Sequence, residues 1–116
     1  MDKLSELLIK VGVPKNTANV FSSLLDEEPR TSRQIERVVD LRQPEVSIAL
    51  KNLYGFVSVA EQESENIGRP NKVYRMSKKQ GDAYLKCIAD EKQKEIDGIA
   101  ANLEKIRRMV GEWNEI

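Results

Sequence analysis

The C-terminal part of the chain carries a long heptad pattern, and this pattern restricts the possible folds more than any other feature. Its positions alternate at spacings of four and three, and they are Leu85, Ala89, Lys92, Ile96, Ile99, Leu103, Ile106, Val110 and Trp113. This alternation places the side chains on one stripe of an α-helix, as in coiled coils. Gly98 and Gly111 weaken the pattern, each by about 1 kcal/mol relative to alanine. A lone helix would leave this stripe in water, so the segment needs a surface to cover it.

Two surfaces could cover the stripe: the rest of the same chain, or a second copy of the chain. We expect the first part of the helix, near Tyr84, Leu85 and Ile88, to pack against the preceding domain. Beyond Ile96 the stripe outruns a domain of this size, which favours a homodimer, with pairing either parallel or antiparallel. The residues predicted to form the dimer contact are Ile96, Ile99, Leu103, Ile106, Val110 and Trp113.

Two amphipathic helices are predicted at the N-terminus. Leu4, Leu7, Leu8 and Val11 recur at the spacing of one helical face, and Gly12 to Pro14 ends that helix. The second helix starts near Pro14 and stops at the polar segment 26–29. Its apolar residues are Val20, Phe21, Leu24 and Leu25.

Two short helices separated by a tight turn follow. Thr31 and Gln34 have the spacing of a capping box, which predicts Thr31 as the N-cap of the first of these helices. Its buried side is formed by Ile35, Val38 and Val39. Asp40 to Gln43 is the predicted turn, and Pro44 is expected at the first position of the next helix, where proline is tolerated. The buried face of that helix is Val46, Ala49, Leu50 and Leu53. Two short helices joined by about four residues are typical of a helix-turn-helix.

A β-hairpin is predicted directly after the helix-turn-helix. Its β-prone segments are 56–60 and 72–76, and the polar stretch between them contains Gly68 and Pro70. The expected fold class is therefore mainly α with a small β-hairpin: a winged helix-turn-helix over residues 1–78 and a dimerisation helix over residues 79–116.

The charge distribution and the residue types limit the possible functions. The net charge is zero, but residues 30–79 contain ten cationic and six anionic residues, a net of +4, while residues 81–116 contain six and eight, a net of −2. A basic centre suits a polyanion-binding module, although ordinary surface charge would give the same count. The chain has no histidine and a single cysteine, Cys87, so we predict no catalytic machinery, metal site, disulfide or cofactor. It shows no signal-peptide layout and no apolar run of membrane-spanning length, so we expect a cytoplasmic protein without a membrane partner.

Two segments carry a resemblance to a known group of proteins. The segments Val46–Leu53 and Gly68–Arg75 are similar to the recognition helix and the wing of TrmB-like and MarR-like winged-helix transcriptional regulators, and the order of the elements is also similar. The resemblance covers about residues 4–85, and the chain lacks the large sugar-binding domain of full TrmB regulators. It implies binding of double-stranded DNA by a homodimer, with the recognition helix in the major groove and the wing in the minor groove.

The candidate DNA contacts follow from this placement. On a helical wheel Ile48 and Lys51 point away from the apolar face, so a base methyl group and a phosphate or guanine are their expected partners. Arg69 at the wing tip suits a narrow minor groove, where the negative potential is strongest. For Thr31 a simple helix cap is the alternative interpretation. The full set is Thr31, Arg33, Arg42, Gln43, Pro44, Ser47, Ile48, Lys51, Asn52, Arg69, Lys72 and Arg75.

Two other functions stay open from the sequence. One is a winged-helix protein-interaction module, which the neutral net charge and three wing glutamates, Glu61, Glu63 and Glu65, keep possible. In a DNA-binding wing these glutamates would have to face away from the duplex. The other is a ligand-gated regulator, although nothing in the sequence specifies an effector.

Overall fold

The computed structural model describes residues 2–62 and 71–114, which divide into two compact units, Met1–Tyr84 and Leu85–Ile116. The elements in chain order are α1 (Lys3–Lys10), α2 (Lys15–Ser23), β1 (Arg30–Thr31), α3 (Ser32–Val39), α4 (Gln43–Asn52), β2 (Ser58–Gln62), β3 (Asn71–Arg75) and α5 (Lys78–Asn114). The predicted fold class is confirmed: the chain is mainly helical, with a small antiparallel sheet and a long C-terminal helix. The division of roles at residue 78 stays a prediction.

The core of the first unit lies between the four short helices. α2 is central, because it packs against α1, α3 and α4. Its Phe21 and Leu24 are fully buried, as are Ile35 of α3 and Val46 and Leu53 of α4 and its C-terminal end. Burying one such side chain contributes roughly 1.5–3 kcal/mol. The two helices of the helix-turn-helix, α3 and α4, are therefore held by apolar contacts with α2 and with each other.

The face of α1 that packs on this core differs from the prediction. Leu7 and Val11 are each 50% exposed, whereas Ser5 and Leu8 are buried. Ser5 takes part because its small side chain lets α1 approach α2, where its hydroxyl lies 3.5 Å from the carbonyl oxygen of Ala18. The buried stripe is thus rotated toward a polar residue that apolar periodicity does not identify.

The helix-turn-helix follows most of its predicted local signals. The prediction that Val38 lies on the buried side of α3 is wrong, since Val38 is 57% exposed; the covered side of this short helix runs through Ile35 and Val39, four residues apart. Thr31 Oγ1 accepts the Gln34 backbone N–H at 3.3 Å, and Gln34 Oε1 accepts the Thr31 N–H at 2.9 Å, so the capping box is confirmed. α3 ends at Asp40, which adopts the left-handed conformation with φ 54°. α4 begins at Gln43, so Pro44 occupies the second helical position. The prediction that it occupies the first position is wrong. The turn therefore has three residues, 40–42, one fewer than expected.

The sheet contains one strand more than the predicted hairpin. Its order is β1-β3-β2, and both pairings are antiparallel. β1 is only two residues long, so it has no alternation that a sequence could display, and it forms because Arg30 and Thr31 pair with Tyr74 and Val73. The other two strands lie within two residues of the predicted segments.

The turn before β1 is fixed by an ion pair. Nη1 of Arg30 donates to the carbonyl oxygen of Ser23 and to Oδ1 of Asp26, both at 2.8 Å. The hydrogen bond from Arg30, together with one from the Glu28 backbone N–H, lowers the pKa of Asp26 to about 2. These hydrogen bonds fix the turn between α2 and β1, and with it the start of β1 and α3.

The beginning of α5 is anchored to the first unit. Ser77 and Gln80 form a second capping box, with Gln80 N–H donating to Ser77 Oγ at 3.1 Å and Ser77 N–H to Gln80 Oε1 at 2.9 Å. The ring of Tyr84 lies 5.1 Å from that of Phe21 and 5.4 Å from that of Phe56, measured between centroids. These contacts place the start of α5 on the core. Within residues 2–62 and 71–114, every helix is too short or too polar to serve as a membrane span.

Candidate nucleic-acid interface

α4 has an exposed face, with both polar and apolar residues, opposite the face that is buried in the core. Val46 and Ala49 are fully buried, while Ser47, Ile48 and Lys51 on the other side are exposed. Ile48 keeps 61% of its surface in contact with solvent. The helical wheel derived from the sequence is therefore correct for this helix. Exposed hydroxyl, methyl and ammonium groups on one helical face are the types of group that contact base edges and phosphates.

The first turn of α4 is also open to solvent. Arg42 is the N-cap in an extended conformation (φ −86°, ψ 159°), and its side chain makes no capping hydrogen bond. Gln43 and Pro44 are exposed beside it. Because an arginine side chain cannot accept hydrogen bonds, Arg42 does not cap the backbone N–H groups of this turn. Arg42 and Gln43 are consequently placed where they can reach an anion.

A groove lies between α4 and the sheet, and we call it the α4–sheet groove. It has a volume of about 350 Å³ and is lined by Ser47, Leu50, Lys51, Tyr54, Val57, Val59, Lys72 and Tyr74. Three of the predicted DNA-contact residues, Ser47, Lys51 and Lys72, therefore lie around one concave surface. The lining has an apolar floor and two ammonium groups, and it contains no carboxylate among the described residues.

Glu61 lies close to this groove. It is the direct cross-strand partner of Lys72, as Val59 is of Tyr74. Directly opposed residues of an antiparallel pair share one face of the sheet. Glu61 therefore points to the same side of the sheet as Lys72, so it would not face away from a duplex that Lys72 contacts. Glu63 and Glu65 lie outside the described residues.

Two of the predicted contact residues are tied to the protein itself. Asn52 Nδ2 donates to Oγ1 of the buried Thr17 at 3.0 Å, which links α4 to α2. Arg75 Nε donates to the carbonyl oxygen of Glu27 at 2.9 Å, and its Nη2 lies 3.8 Å from Glu27 Oε2. Glu27 has a positive φ of 63° in the turn after α2, and its Oε1 also accepts the Lys78 N–H at 2.6 Å. Both side chains have a structural role in the absence of DNA.

The remaining predicted residues of the first unit lie elsewhere. Thr31 is half-buried and its hydroxyl is used in the capping box, whereas Arg33, two residues on, is exposed in the first turn of α3. Neither lines the α4–sheet groove. Arg69 lies outside the described residues, so its contact with DNA stays a prediction.

In the second unit the heptad stripe of α5 is open to solvent. The exposed fractions are 58% for Ile96, 61% for Ile99, 55% for Leu103, 54% for Ile106, 44% for Val110 and 67% for Trp113. Lys92 is half-buried, and its ammonium group lies 3.4 Å from Oε2 of Glu95, one turn along. From Ile96 to Trp113 the stripe runs about 27 Å at the helical rise of about 1.5 Å per residue. Continuous exposed apolar surfaces are the kind of surface at which proteins associate.

Comparison with known proteins bears on the fold. No protein-family model matches the chain, and no curated protein sequence matches it. Among solved structures, a possible transcriptional regulator from Methanosarcina mazei Go1 aligns with a TM-score of 0.62 at 19% identity, covering 85% of this chain and 83% of that one. A protein of the thermoacidophilic archaeon Sulfolobus tokodaii aligns with a TM-score of 0.60 at 17% identity, covering 82% and 91%. A MarR family regulator from Neisseria meningitidis aligns with a TM-score of 0.51 at 23% identity, covering 84% and 68%.

The fold is a winged helix-turn-helix. In this fold α3 and α4 form the helix-turn-helix, and β2 and β3 form the wing, whose tip lies outside the described residues. The resemblance inferred from Val46–Leu53 and the hairpin is confirmed at the level of architecture.

Sequence reasoning missed one residue of the winged-helix surface. Tyr54 follows the last turn of α4 and is 87% exposed beside the α4–sheet groove. Its backbone N–H donates to the Lys51 carbonyl at 3.1 Å, and the next residue, Gly55, has φ +90°. Gly55 was a usable sequence signal, because a glycine directly after a helix commonly ends it. The preceding residue, Tyr54, then lies at the end of the helix.

Groups able to hold a metal ion are not seen in the described part of the chain, where no three histidine, cysteine, aspartate or glutamate side chains cluster. Cys87 is a free, partly exposed thiol.

Proposed function

We propose that this protein is a homodimeric, sequence-specific regulator of transcription that binds double-stranded DNA. In this proposal α4 enters the major groove and the wing enters the adjacent minor groove. The observation that carries it is the outward face of α4, where Ser47, Ile48 and Lys51 are exposed beside a groove that also contains Lys72. The solved structures with this fold include proteins described as transcriptional regulators, which supports the same class of function here.

The exposed isoleucine is the least expected feature of an ordinary solvated helix. Ile48 exposes 61% of its surface in the middle of α4, although Glu45, Ser47 and Lys51 around it are polar. Contact with the methyl group of thymine would remove this surface from water and would discriminate thymine from cytosine. Ser47 and Gln43 could donate or accept hydrogen bonds at neighbouring base edges.

Homodimerisation is proposed from the exposed stripe of α5. Six large apolar residues from Ile96 to Trp113 are each about half exposed or more, and a second copy offers an identical stripe. Two paired helices would present two copies of α4 to one duplex. Half-sites about one helical turn apart, ~10–10.5 base pairs between centres, are the expected operator geometry.

The first experiment is a fluorescence-anisotropy titration of a random-sequence duplex at low salt and at near-physiological salt. Binding through several lysines and arginines must weaken steeply as salt rises, because each neutralised phosphate releases counterions. Selection of bound sequences then yields an operator, on which Ile48→Ala should reduce the preference for thymine at one position. Val38→Ala is the matched control, since Val38 is similarly exposed (57%) but lies beside Asp2 and Ser22. Absence of binding at low salt would contradict the proposal.

A winged-helix protein-interaction module is the alternative that a specific observation favours. Glu61 beside Lys72 makes this part of the wing nearly neutral, and Ile48, Tyr54 and Val59 are exposed apolar residues nearby. An apolar surface of low net charge is more typical of protein contacts than of DNA contacts. The salt titration separates the two functions, since a mainly apolar contact loses little affinity as salt rises.

A further inference from the structure

We propose that Tyr54 is a DNA-positioning residue, and that the α4–sheet groove seats the sugar-phosphate backbone of one strand. This inference rests on the proposed DNA-binding function and adds a residue to it that the sequence did not identify. The groove lies between the helix proposed for the major groove and the wing proposed for the minor groove. The strand that separates two adjacent grooves of DNA is therefore the partner that this position fits.

The shape of the helix end fixes where Tyr54 can reach. Leu53, immediately before it, is fully buried, and its N–H donates to the carbonyls of Ala49 and Leu50 at 3.1 and 3.2 Å. Gly55, immediately after it, takes φ +90°, a conformation that side-chain-bearing residues rarely adopt. The backbone of Tyr54 is thus held between a buried anchor and a fixed turn, and the residue is 87% exposed. A tyrosine side chain has only two rotatable χ angles, so it loses little conformational entropy when it binds a ligand.

The chemistry of the groove matches both parts of a nucleotide backbone. Leu50, Val57 and Val59 provide an apolar floor against which a deoxyribose can pack. Lys51 and Lys72 carry ammonium groups on two different elements of the groove, and Tyr54 lines the same groove. Tyrosine hydroxyls and lysine ammonium groups are common donors to phosphate oxygens.

Glu61 makes the two sides of the groove differ in positive charge. It opposes Lys72 across β2 and β3 and reduces the positive charge at the wing side of the groove. Lys51 lies on α4 and is not part of that cross-strand pair, so the helix side keeps its full charge. The phosphate is therefore expected nearer to Lys51 and Tyr54 than to the outer part of the wing.

The test is a set of salt titrations of the full chain with duplex DNA, comparing wild type with Tyr54→Phe, Tyr54→Ala and Lys51→Ala. Tyr54→Phe removes one hydrogen bond at an exposed surface, and we expect about three- to tenfold weaker binding with an unchanged salt slope. Tyr54→Ala also removes the ring, so its loss should be larger, about ten- to thirtyfold. Lys51→Ala should instead reduce the slope of log Kd against log salt by about one.

Two controls separate this role from a structural one. Tyr54 is exposed, so the thermal unfolding midpoint should not change in Tyr54→Phe. Lys10→Ala on α1 removes a charge outside the groove and should leave the salt slope close to that of wild type.

The outcomes distinguish this inference from the proposed function. Wild-type binding that Tyr54→Phe weakens at constant slope supports the groove contact. Wild-type binding that neither Tyr54 variant changes overturns the groove contact and leaves the proposed function in place. Failure of the wild-type chain to bind duplex DNA at low salt overturns both, and points to a protein partner for this surface.

Discussion

Replacing Leu103 by alanine tests the proposed association of α5, because the contribution of this side chain to the free energy of association can be estimated from its exposed surface. Leu103 lies in the middle of the exposed stripe and has 55% of its surface in contact with solvent. Burying a whole leucine side chain contributes about 2–3 kcal/mol, so covering the exposed half contributes about 1–1.5 kcal/mol per chain. A homodimer buries two copies, which gives about 2–3 kcal/mol and a 30- to 150-fold increase in the dissociation constant of the dimer.

The choice of alanine keeps the helix itself unchanged. Alanine has a helix propensity at least equal to that of leucine, so the loss should appear in association and not in helix content. Sedimentation equilibrium over a range of protein concentrations measures the dissociation constant, and circular dichroism at one concentration checks the helix. Lys105→Ala is the matched control, because Lys105 lies two residues along on the same helix but outside the stripe.

The result that would refute this reasoning is specific. If wild type is dimeric and Leu103→Ala dimerises as tightly as Lys105→Ala, the stripe from Ile96 to Trp113 is not the association surface. A wild-type chain that stays monomeric at about 100 µM would refute homodimerisation itself, because a dissociation constant weaker than this corresponds to under about 6 kcal/mol.

Three further predictions concern the first unit. Glu61→Gln should strengthen DNA binding about two- to threefold at low salt, because it removes a negative charge beside Lys72, and anisotropy titrations would show no gain if the duplex does not approach this face. Arg69→Ala should weaken binding more for A·T-rich than for G·C-rich duplexes, since a narrow minor groove attracts arginine most; an equal loss for both would place Arg69 on a phosphate instead. The stability that Asp26 adds through Arg30 is present above its unfolded-state pKa of 3.8 and is lost as pH falls through about 2, because the folded-state pKa is lowered. The difference in melting temperature between wild type and Asp26→Asn should therefore shrink between pH 4 and pH 2, and a constant difference would show that the ion pair does not stabilise the fold.

Local sequence signals correctly predicted several features that depend on residues within one or two turns of a helix. The capping box at Thr31 and Gln34 brings together groups three residues apart, and the outward position of Ile48 follows from helical geometry alone. Such features need no knowledge of the rest of the molecule. For the same reason the sequence correctly indicated the extent of α5 and the helix-turn-helix.

The sequence did not reveal hydrogen bonds between side chains and residues far along the chain. Asn52 had the position of a base-contacting residue, but its amide donates to Thr17, 35 residues earlier. Arg75 had the position of a phosphate contact, but its guanidinium donates to Glu27, 48 residues earlier. Periodicity describes which way a side chain points and not which distant group will meet it, so these roles were invisible in the sequence.

By itself the sequence determined the architecture: the helix-turn-helix, the hairpin after it and the apolar stripe of α5. Each is indicated by the spacing of apolar residues, which is three or four in a helix and two in a strand. The tertiary structure alone decided that β1 joins the sheet, that Glu61 shares a face with Lys72, and that Tyr54, Lys51 and Lys72 surround one groove. The physical reason is that secondary structure arises mainly from interactions between near neighbours in the chain. A binding surface, by contrast, is assembled from elements that only the packing of the core brings together.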